Sequence, residues 1–357
     1  MSAAAPSQSG PALVDCDLAS LQAEFRAAGH KPVHALKVLR HFYQTAGSSD
    51  FTSAAVSKNV RAHLSGRQSR RGSIHARNVA ADGTIKLLIA LASGGAAESV
   101  LMPSHRPDVA AGCVSSQIGC AMGCDFCAST RNGLERNLEA GEIVEQFLFL
   151  KEQSTAAGRK LKTLVFMGMG EPLLNLDAVV AAIRRIGDPL LGGLGWRQIT
   201  VSTVGIVPGI DRLASLDLNV HLALSLHAPD DDTRSRLVPA NRRYPLADVL
   251  AAARRFQQRS GRIVTIEYCL LAGVNDSTRQ AQRLADLLGD FRAHVNLIPY
   301  NPVGPGLSGV IYHRPGDEQM AAFMNILRDR NVVAHFRATR GEAINAACGQ
   351  LRQEYGP

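Results

Sequence analysis

Three cysteines constrain this chain more than anything else in it. They stand in Cys120-Ala-Met-Gly-Cys124-Asp-Phe-Cys127, a C-x3-C-x2-C loop, with a fourth cysteine, Cys113, seven residues upstream. Thiolates at this spacing can hold three corners of a cubane [4Fe-4S] cluster and leave one iron without a protein ligand. An open iron is a place for a substrate, which makes the loop catalytic. Gly119 and Gly123 allow the tight backbone that the spacing demands. The competing reading is structural zinc, which normally takes four ligands. Only Cys113 is near enough to be the fourth, and no His follows at finger-like spacing.

Seven cysteines in 357 residues do not make a secreted disulfide scaffold, and their clustering points to metal or redox chemistry. With 46% hydrophobic and 20% charged residues the chain can bury a substantial core. It has no apolar run of roughly 18 residues, and Met1–Ser9 lacks the features of a signal peptide. A soluble, cytoplasmic protein with no membrane partner is expected. The charge is uneven. Residues 21–80 hold ten Lys/Arg against Glu24 and Asp50, which equals the whole formal excess of +8, and the rest of the chain balances. A basic module beside a neutral body suggests a phosphate-backbone partner, with Arg67, Arg70 and Arg71 as expected contacts.

Residues 1–14, rich in Ala, Ser, Pro and Gly, are expected to be a disordered tail. Helical spacing of Leu18, Leu21 and Phe25, of Val33, Leu36, Leu39 and Tyr43, and of Val56, Val60 and Leu64 predicts two or three short helices within a 15–72 accessory domain. Residues 73–111 predict a β extension: Ser73–Val79 and Ile85–Leu91 flank Asp82-Gly83, and Glu98–Met102 offers a third strand before a loop at His105–Ala111. Over 112–340, strand candidates at Leu164–Met167, Gln198–Thr203, Val220–Leu226, Ile263–Leu270, Val295–Ile298 and Val332–Arg337 alternate with helical stretches, which predicts a parallel α/β sheet or barrel. Residues 341–357, with Gly341 and Gly349 around Cys348, read as a mobile loop.

Cys113-Val-Ser-Ser-Gln-Ile-Gly-Cys120, Met167-Gly-Met-Gly-Glu-Pro172 and Ala346-Ala-Cys348-Gly-Gln-Leu351 carry a closer likeness. From about Glu98 to Leu351 the chain resembles the RlmN/Cfr family of radical S-adenosylmethionine (SAM) RNA adenosine methyltransferases. The resemblance implies a partial (β/α)6 barrel, a [4Fe-4S] cluster on Cys120, Cys124 and Cys127, and SAM held by Gly170, Glu171, Ser202, Ser225, Leu226, His227 and Asn301. It also implies a route. Cys348 takes a methyl group from one SAM, and a second is cleaved to a deoxyadenosyl radical. The radical activates that methyl group, which then adds to the base. Cys113 attacks the Cys348 sulfur, releasing the product and leaving a disulfide, and Glu98 is the proton acceptor. The implied substrate is C2 of adenosine in 23S rRNA, with tRNA as a further candidate, and the reductant is an electron donor such as flavodoxin or ferredoxin. Gly170-Glu-Pro-Leu-Leu-Asn175 and Leu297-Ile-Pro-Tyr-Asn-Pro302 lean toward RlmN, whereas Gly133-Leu-Glu-Arg-Asn-Leu138 leans toward Cfr, whose target is C8. A non-catalytic RNA-binding metalloprotein explains the basic module and the close cysteines, but not Cys113, Cys348 and the strand ends together.

Overall fold

The described chain, residues 10–351 of a computed structural model, opens with helices α1 (Leu18–Ala27), α2 (Val33–Gln44) and α3 (Lys58–Leu64). Local chemistry starts two of them. Asp17 and Ser20 cap each other's backbone at α1, and the Ser57 hydroxyl accepts the Val60 N–H at α3. Phe25, Leu39, Phe42 and Val60 are buried and continuous with the core of the whole molecule. The ordered chain begins earlier than the expected tail allows: Leu13–Asp15 forms one 3-10 turn, and Leu13 and Val14 are buried. Residues 1–9 of that tail lie outside the described residues.

This packing overturns one expected phosphate contact, Arg67, and ties two others, Arg70 and Arg71, into ion pairs. Arg67 is buried, donating to Glu24 at 2.6 Å and to the Pro11 carbonyl and the Cys16 sulfur. Arg70 pairs with Glu152 at 2.7 Å, and Arg71 with Asp15 and Glu139 at 2.9 and 2.7 Å. Charge counting sees cations but not the acids, Asp15, Glu139 and Glu152, that the fold brings to them from outside the counted window. Lys37 and Arg40 on α2 and Lys58 and Arg61 on α3 are exposed and lie outside the ion pairs of the described residues.

Strands β1 (Ser73–Val79), β2 (Ile85–Ala90), β3 (Ala96–Pro103) and β4 (Val109–Cys113) pair antiparallel in chain order. A ribbon of β5 (Gln117–Gly119) and β6 (Leu134–Asn137) brackets the cysteine loop. Then α4 (Ala140–Ala156), β7 (Lys160–Phe166), α5 (Leu176–Gly187), β8 (Ile199–Thr203), α6 (Val207–Ser215) and β9 (His221–Ser225) alternate. They are followed by α7 (Asp231–Leu237), α8 (Leu246–Ser260), β10 (Val264–Leu270), α9 (Thr278–Leu288), β11 (Ala293–Pro299), α10 (Asp317–Asp329) and β12 (Val333–Phe336). In space the sheet runs β1-β2-β3-β4-β7-β8-β9-β10-β11-β12, parallel from β4 onward. Six βα crossovers join those parallel strands, as the partial barrel requires.

Residues 109–111, expected in a loop, belong to β4. Val-Ala-Ala-Gly-Cys is a weak strand former, so packing decides. A Cβ on Gly112 would stand 3.0 Å from Leu150 and 3.1 Å from Leu164, and the small residues let α4 and β7 close on the strand. Helices α6 and α7 were not foreseen: α6 carries Pro in its first turn, and α7 is a charged run whose Asp230 caps the Thr233 N–H. No helix among the described residues is long and apolar enough to cross a membrane.

Candidate active site

The loop from β5 to β6 is built for close approach. Gly119 has φ +72°, and a Cβ there would lie 2.0 Å from the Gly133 carbonyl oxygen, which accepts the Cys120 N–H at 2.8 Å. Thr130 Oγ1 accepts the Gly123 N–H and donates to the Cys120 carbonyl, so the loop curls back on itself. Cys120, Cys124 and Cys127 consequently line one cavity of about 160 Å³ at the carboxyl ends of the parallel strands. Burial pushes the Cys120 thiol up to about 12 and raises Cys124 and Cys127. Such thiols are protonated until a metal displaces the proton.

These donors fit a cluster. Among the described residues no three His, Cys, Asp or Glu side chains form a group for a metal ion. The three thiols share a cavity wall instead, and in a cubane each thiolate holds a different iron. Cys113, the fourth ligand that closed zinc needs, lines a neighbouring cavity.

The first cavity is also lined by Glu171, Ser202, Ser225 and His227. Gly170 has φ +96°, and a Cβ there would be 2.5 Å from that of Gln117, so only glycine lets β5 pass this strand end. The Glu171 carboxylate accepts the Leu173 N–H at 3.1 Å and the Val204 N–H at 2.9 Å. Burial outweighs both bonds and raises its carboxyl to about 7. The Ser202 and Ser225 hydroxyls are 3.5 Å apart. His227 has φ +60°, a rare conformation for a residue with a Cβ, and is buried against Phe126. Its Nδ1 accepts the Cys269 N–H at 3.0 Å, and burial, then Arg234, lowers its pKa to about 3, so the ring is neutral with a proton on Nε2. Cys269 is buried in β10.

Two expected SAM residues are placed differently. The Leu226 side chain is in the core, leaving only its backbone near the site. Asn301 lines the second cavity, donating to the Cys348 carbonyl at 3.2 Å and accepting from Arg314 at 3.1 Å.

Cys348 joins the two halves. It lines the first cavity with the three thiols and the second with Cys113. Cys113 ends β4, opposite Val100, and burial, then Cys348, pushes its thiol up to about 12. Glu98 lies on β3 and is buried, with Lys86 2.5 Å away. The expected disulfide is not formed: all seven cysteines are free thiols. Nor are residues 341–351 a loose loop, and residues 352–357 of that expectation lie outside the described residues. The Leu351 carbonyl accepts from Ser129 at 2.6 Å, the Gly349 carbonyl from the Ala128 N–H at 2.8 Å, and Gln350 donates to the Pro302 carbonyl at 3.2 Å.

Two arginines escaped the sequence reading. Arg234 is fully buried, and its guanidinium donates to the carbonyls of Val204, Ser225 and Leu226, fixing the strand ends around the cavity. Arg337, just after β12, lines both cavities, donates to the Met167 sulfur at 3.3 Å and stands 3.9 Å from Glu267. Arg234 sits in a charged run that reads as surface, and Arg337 had no motif to mark it.

The radical SAM superfamily model matches residues 114–285. A probable dual-specificity RNA methyltransferase RlmN 1 from Opitutus terrae is 56% identical over 341 residues, covering 95% of each chain. The chain belongs to the RlmN family of radical SAM RNA methyltransferases. A probable RlmN from Thermosynechococcus vestitus is 43% identical, covering 94% of this chain and 96% of its own. The RlmN-type architecture is shared with a crystal structure of a radical SAM methyltransferase from Sphaerobacter thermophilus, which has a TM-score of 0.90 and 44% identity and covers 97% of this chain and 100% of its own.

Proposed function

We propose that this enzyme methylates C2 of adenosine in 23S rRNA, and an adenosine in tRNA, through a methylated Cys348. The observation that carries the reading is the position of Cys348, which faces the three-thiol cavity on one side and Cys113 on the other. Bound in the first cavity, a [4Fe-4S] cluster and SAM would supply the methyl group and, with an electron from a donor such as flavodoxin or ferredoxin, the radical that activates it. The protein's part is to hold and direct. The Glu171 carboxylate is available to the ammonium group of SAM, and the Ser202 and Ser225 hydroxyls and the His227 Nε2–H offer hydrogen bonds along the same wall. Cys348 accepts the methyl group as a thiolate, and its carbon comes to bridge sulfur and base. Glu98 takes the ring proton of that adduct as its unpaired electron passes back to the cluster that the first cavity would hold. The Cys113 thiolate then attacks the Cys348 sulfur, breaking its bond to the carbon, which picks up a proton to become the methyl group, and an external dithiol reopens the resulting disulfide before the next turnover.

The 15–72 segment is read as the RNA-gripping part, with Lys37, Arg40, Lys58 and Arg61 as phosphate contacts. An rRNA substrate places the enzyme in the cytoplasm. Mass spectrometry of nucleosides from RNA treated with the anaerobically reconstituted protein tests the reading. We expect 2-methyladenosine. Finding 8-methyladenosine alone would shift the reading to Cfr-like chemistry, and finding neither, with no deoxyadenosine released, would favour a non-catalytic metalloprotein.

A further inference from the structure

The β extension does more than link the helices to the barrel. Side chains alternate across a strand, and residues directly opposite in a pair share a face. Val100 is opposite Lys86 on β2 and opposite Cys113 on β4, and Glu98 precedes it by two positions. Lys86, Glu98, Val100 and Cys113 therefore share one face of the sheet. The segment that carries Cys348 covers this face, with Ala346 and Leu351 packed against Val100 and Cys113.

Beneath that cover lies a buried ion pair. Lys86 Nζ is 2.5 Å from Glu98 Oε1, with side-chain exposures of 7% and 2%. The same ammonium donates to the Asn345 carbonyl at 3.2 Å, three residues before Cys348. A second link lies nearby: the Asp82 carboxylate accepts the Gly341 N–H at 3.2 Å, and a Cβ on Gly341 would stand 2.8 Å from Thr84. The extension thus grips the base of the Cys348 segment, in addition to that segment's anchors at Ala128, Ser129 and Pro302.

We propose that Lys86 is a positioning residue, whose ammonium aims the Glu98 carboxylate and sets it in register with the Cys348 segment through the Asn345 carbonyl. Two charges removed this far from water are retained when they are paired, and the Lys86 ammonium is the countercharge that the structure sets against the Glu98 carboxylate beside the Cys348 segment. Lysine supplies the needed geometry because its ammonium has three donors, enough for a carboxylate and a carbonyl together. The proposal rests on the reading of Cys348 and Glu98 given above.

The test uses the full-length, cluster-loaded protein with SAM and RNA, as wild type, Lys86→Met and Lys86→Arg. Intact mass reads methylated Cys348, a denaturing gel reads protein joined to RNA, and nucleoside analysis reads product. In Lys86→Met the anchors at Ala128, Ser129, Pro302 and Asp82 remain, so methylated Cys348 should form as in wild type. Discharge of the RNA adduct should slow by about tenfold or more, so that the adduct becomes visible, whereas Lys86→Arg should recover discharge to within about threefold. Wild-type turnover by Lys86→Met would overturn the proposal. So would an equal loss of all three signals with a lower melting temperature that Lys86→Arg fails to restore, because that marks a purely structural lysine. Cys113→Ala, run alongside, separates the two levels: if it traps no adduct, the reading of the cysteines fails before that of Lys86.

Discussion

If Glu171 partners the ammonium group of SAM as proposed, one carboxyl carries both a charge requirement and a stability cost, and pH separates them. Its ordinary value is 4.5, and burial raises it to about 7 in the folded protein. Below pH 4.5 the folded and unfolded chains both carry it neutral. Between pH 4.5 and about 7 the unfolded chain ionises first and binds fewer protons, so folding stability falls as pH rises, and the loss is complete above that range. The gap corresponds to about 3 kcal/mol at 1.36 kcal/mol per unit. Glu171→Gln removes the titration. Its amide must turn a donor toward either the Leu173 or the Val204 N–H, which adds a pH-independent cost of about 1–3 kcal/mol, so only the change with pH is diagnostic. Urea unfolding of the cluster-free protein, followed by the fluorescence of its single Trp196, should show Glu171→Gln gaining about 3 kcal/mol on wild type between pH 4.5 and pH 8. SAM affinity of the loaded wild type should move the other way, weakening by about tenfold per unit as pH falls below 7, because only the carboxylate partners an ammonium. A Gln-minus-wild-type difference that stays flat with pH would refute the reasoning.

The two distant thiols should fail differently. Cys348→Ala should abolish both methylated protein and methylated RNA while the cluster remains, whereas Cys113→Ala should accumulate protein joined to RNA in a band that ribonuclease removes. For the accessory segment, neutralising Lys37, Arg40, Lys58 and Arg61 together should weaken RNA binding and flatten its dependence on salt, with SAM cleavage in the absence of RNA unchanged, as measured by binding titrations at several salt concentrations. Arg67→Ala should instead lower the melting temperature, because it leaves the Pro11 carbonyl without its donor and Glu24 with His63 alone, and the salt slope of RNA binding should hold.

What the sequence disclosed and what it hid divide along a physical line. The cysteine loop, Gly170 and Glu171 are local: their spacing and the glycine turns act over a few residues, and the structure brings them to one cavity as the motifs suggested. Strand and helix periods were similarly local, which is why β1 begins and ends at Ser73 and Val79 as read. Arg67 turns inward onto Glu24 within the charged window and the Pro11 carbonyl outside it, while Arg70 and Arg71 were misjudged because their acids come from outside that window. The same holds for Lys86, whose role depends on the register of β2 with β3 and on Asn345, 259 residues away. Strand β4 was missed because its neighbours, rather than its own propensity, make it a strand. Asn301 carried a family expectation, yet in the structure its amide is already engaged by Cys348 and Arg314.

The anchoring of residues 341–351 also has a consequence in time. Every surface that this segment packs against, from the β2–β3 face to the cysteine loop and the turn after β11, is earlier in the chain. A protein emerging from the ribosome folds from its N-terminal side. The sheet can therefore form and the three thiols can line their pocket while that pocket still has an open wall. A cluster can be delivered through the gap before residue 351 emerges and the wall is set in place. In that order the wall carrying Cys348 is the last part of the described pocket to be set in place.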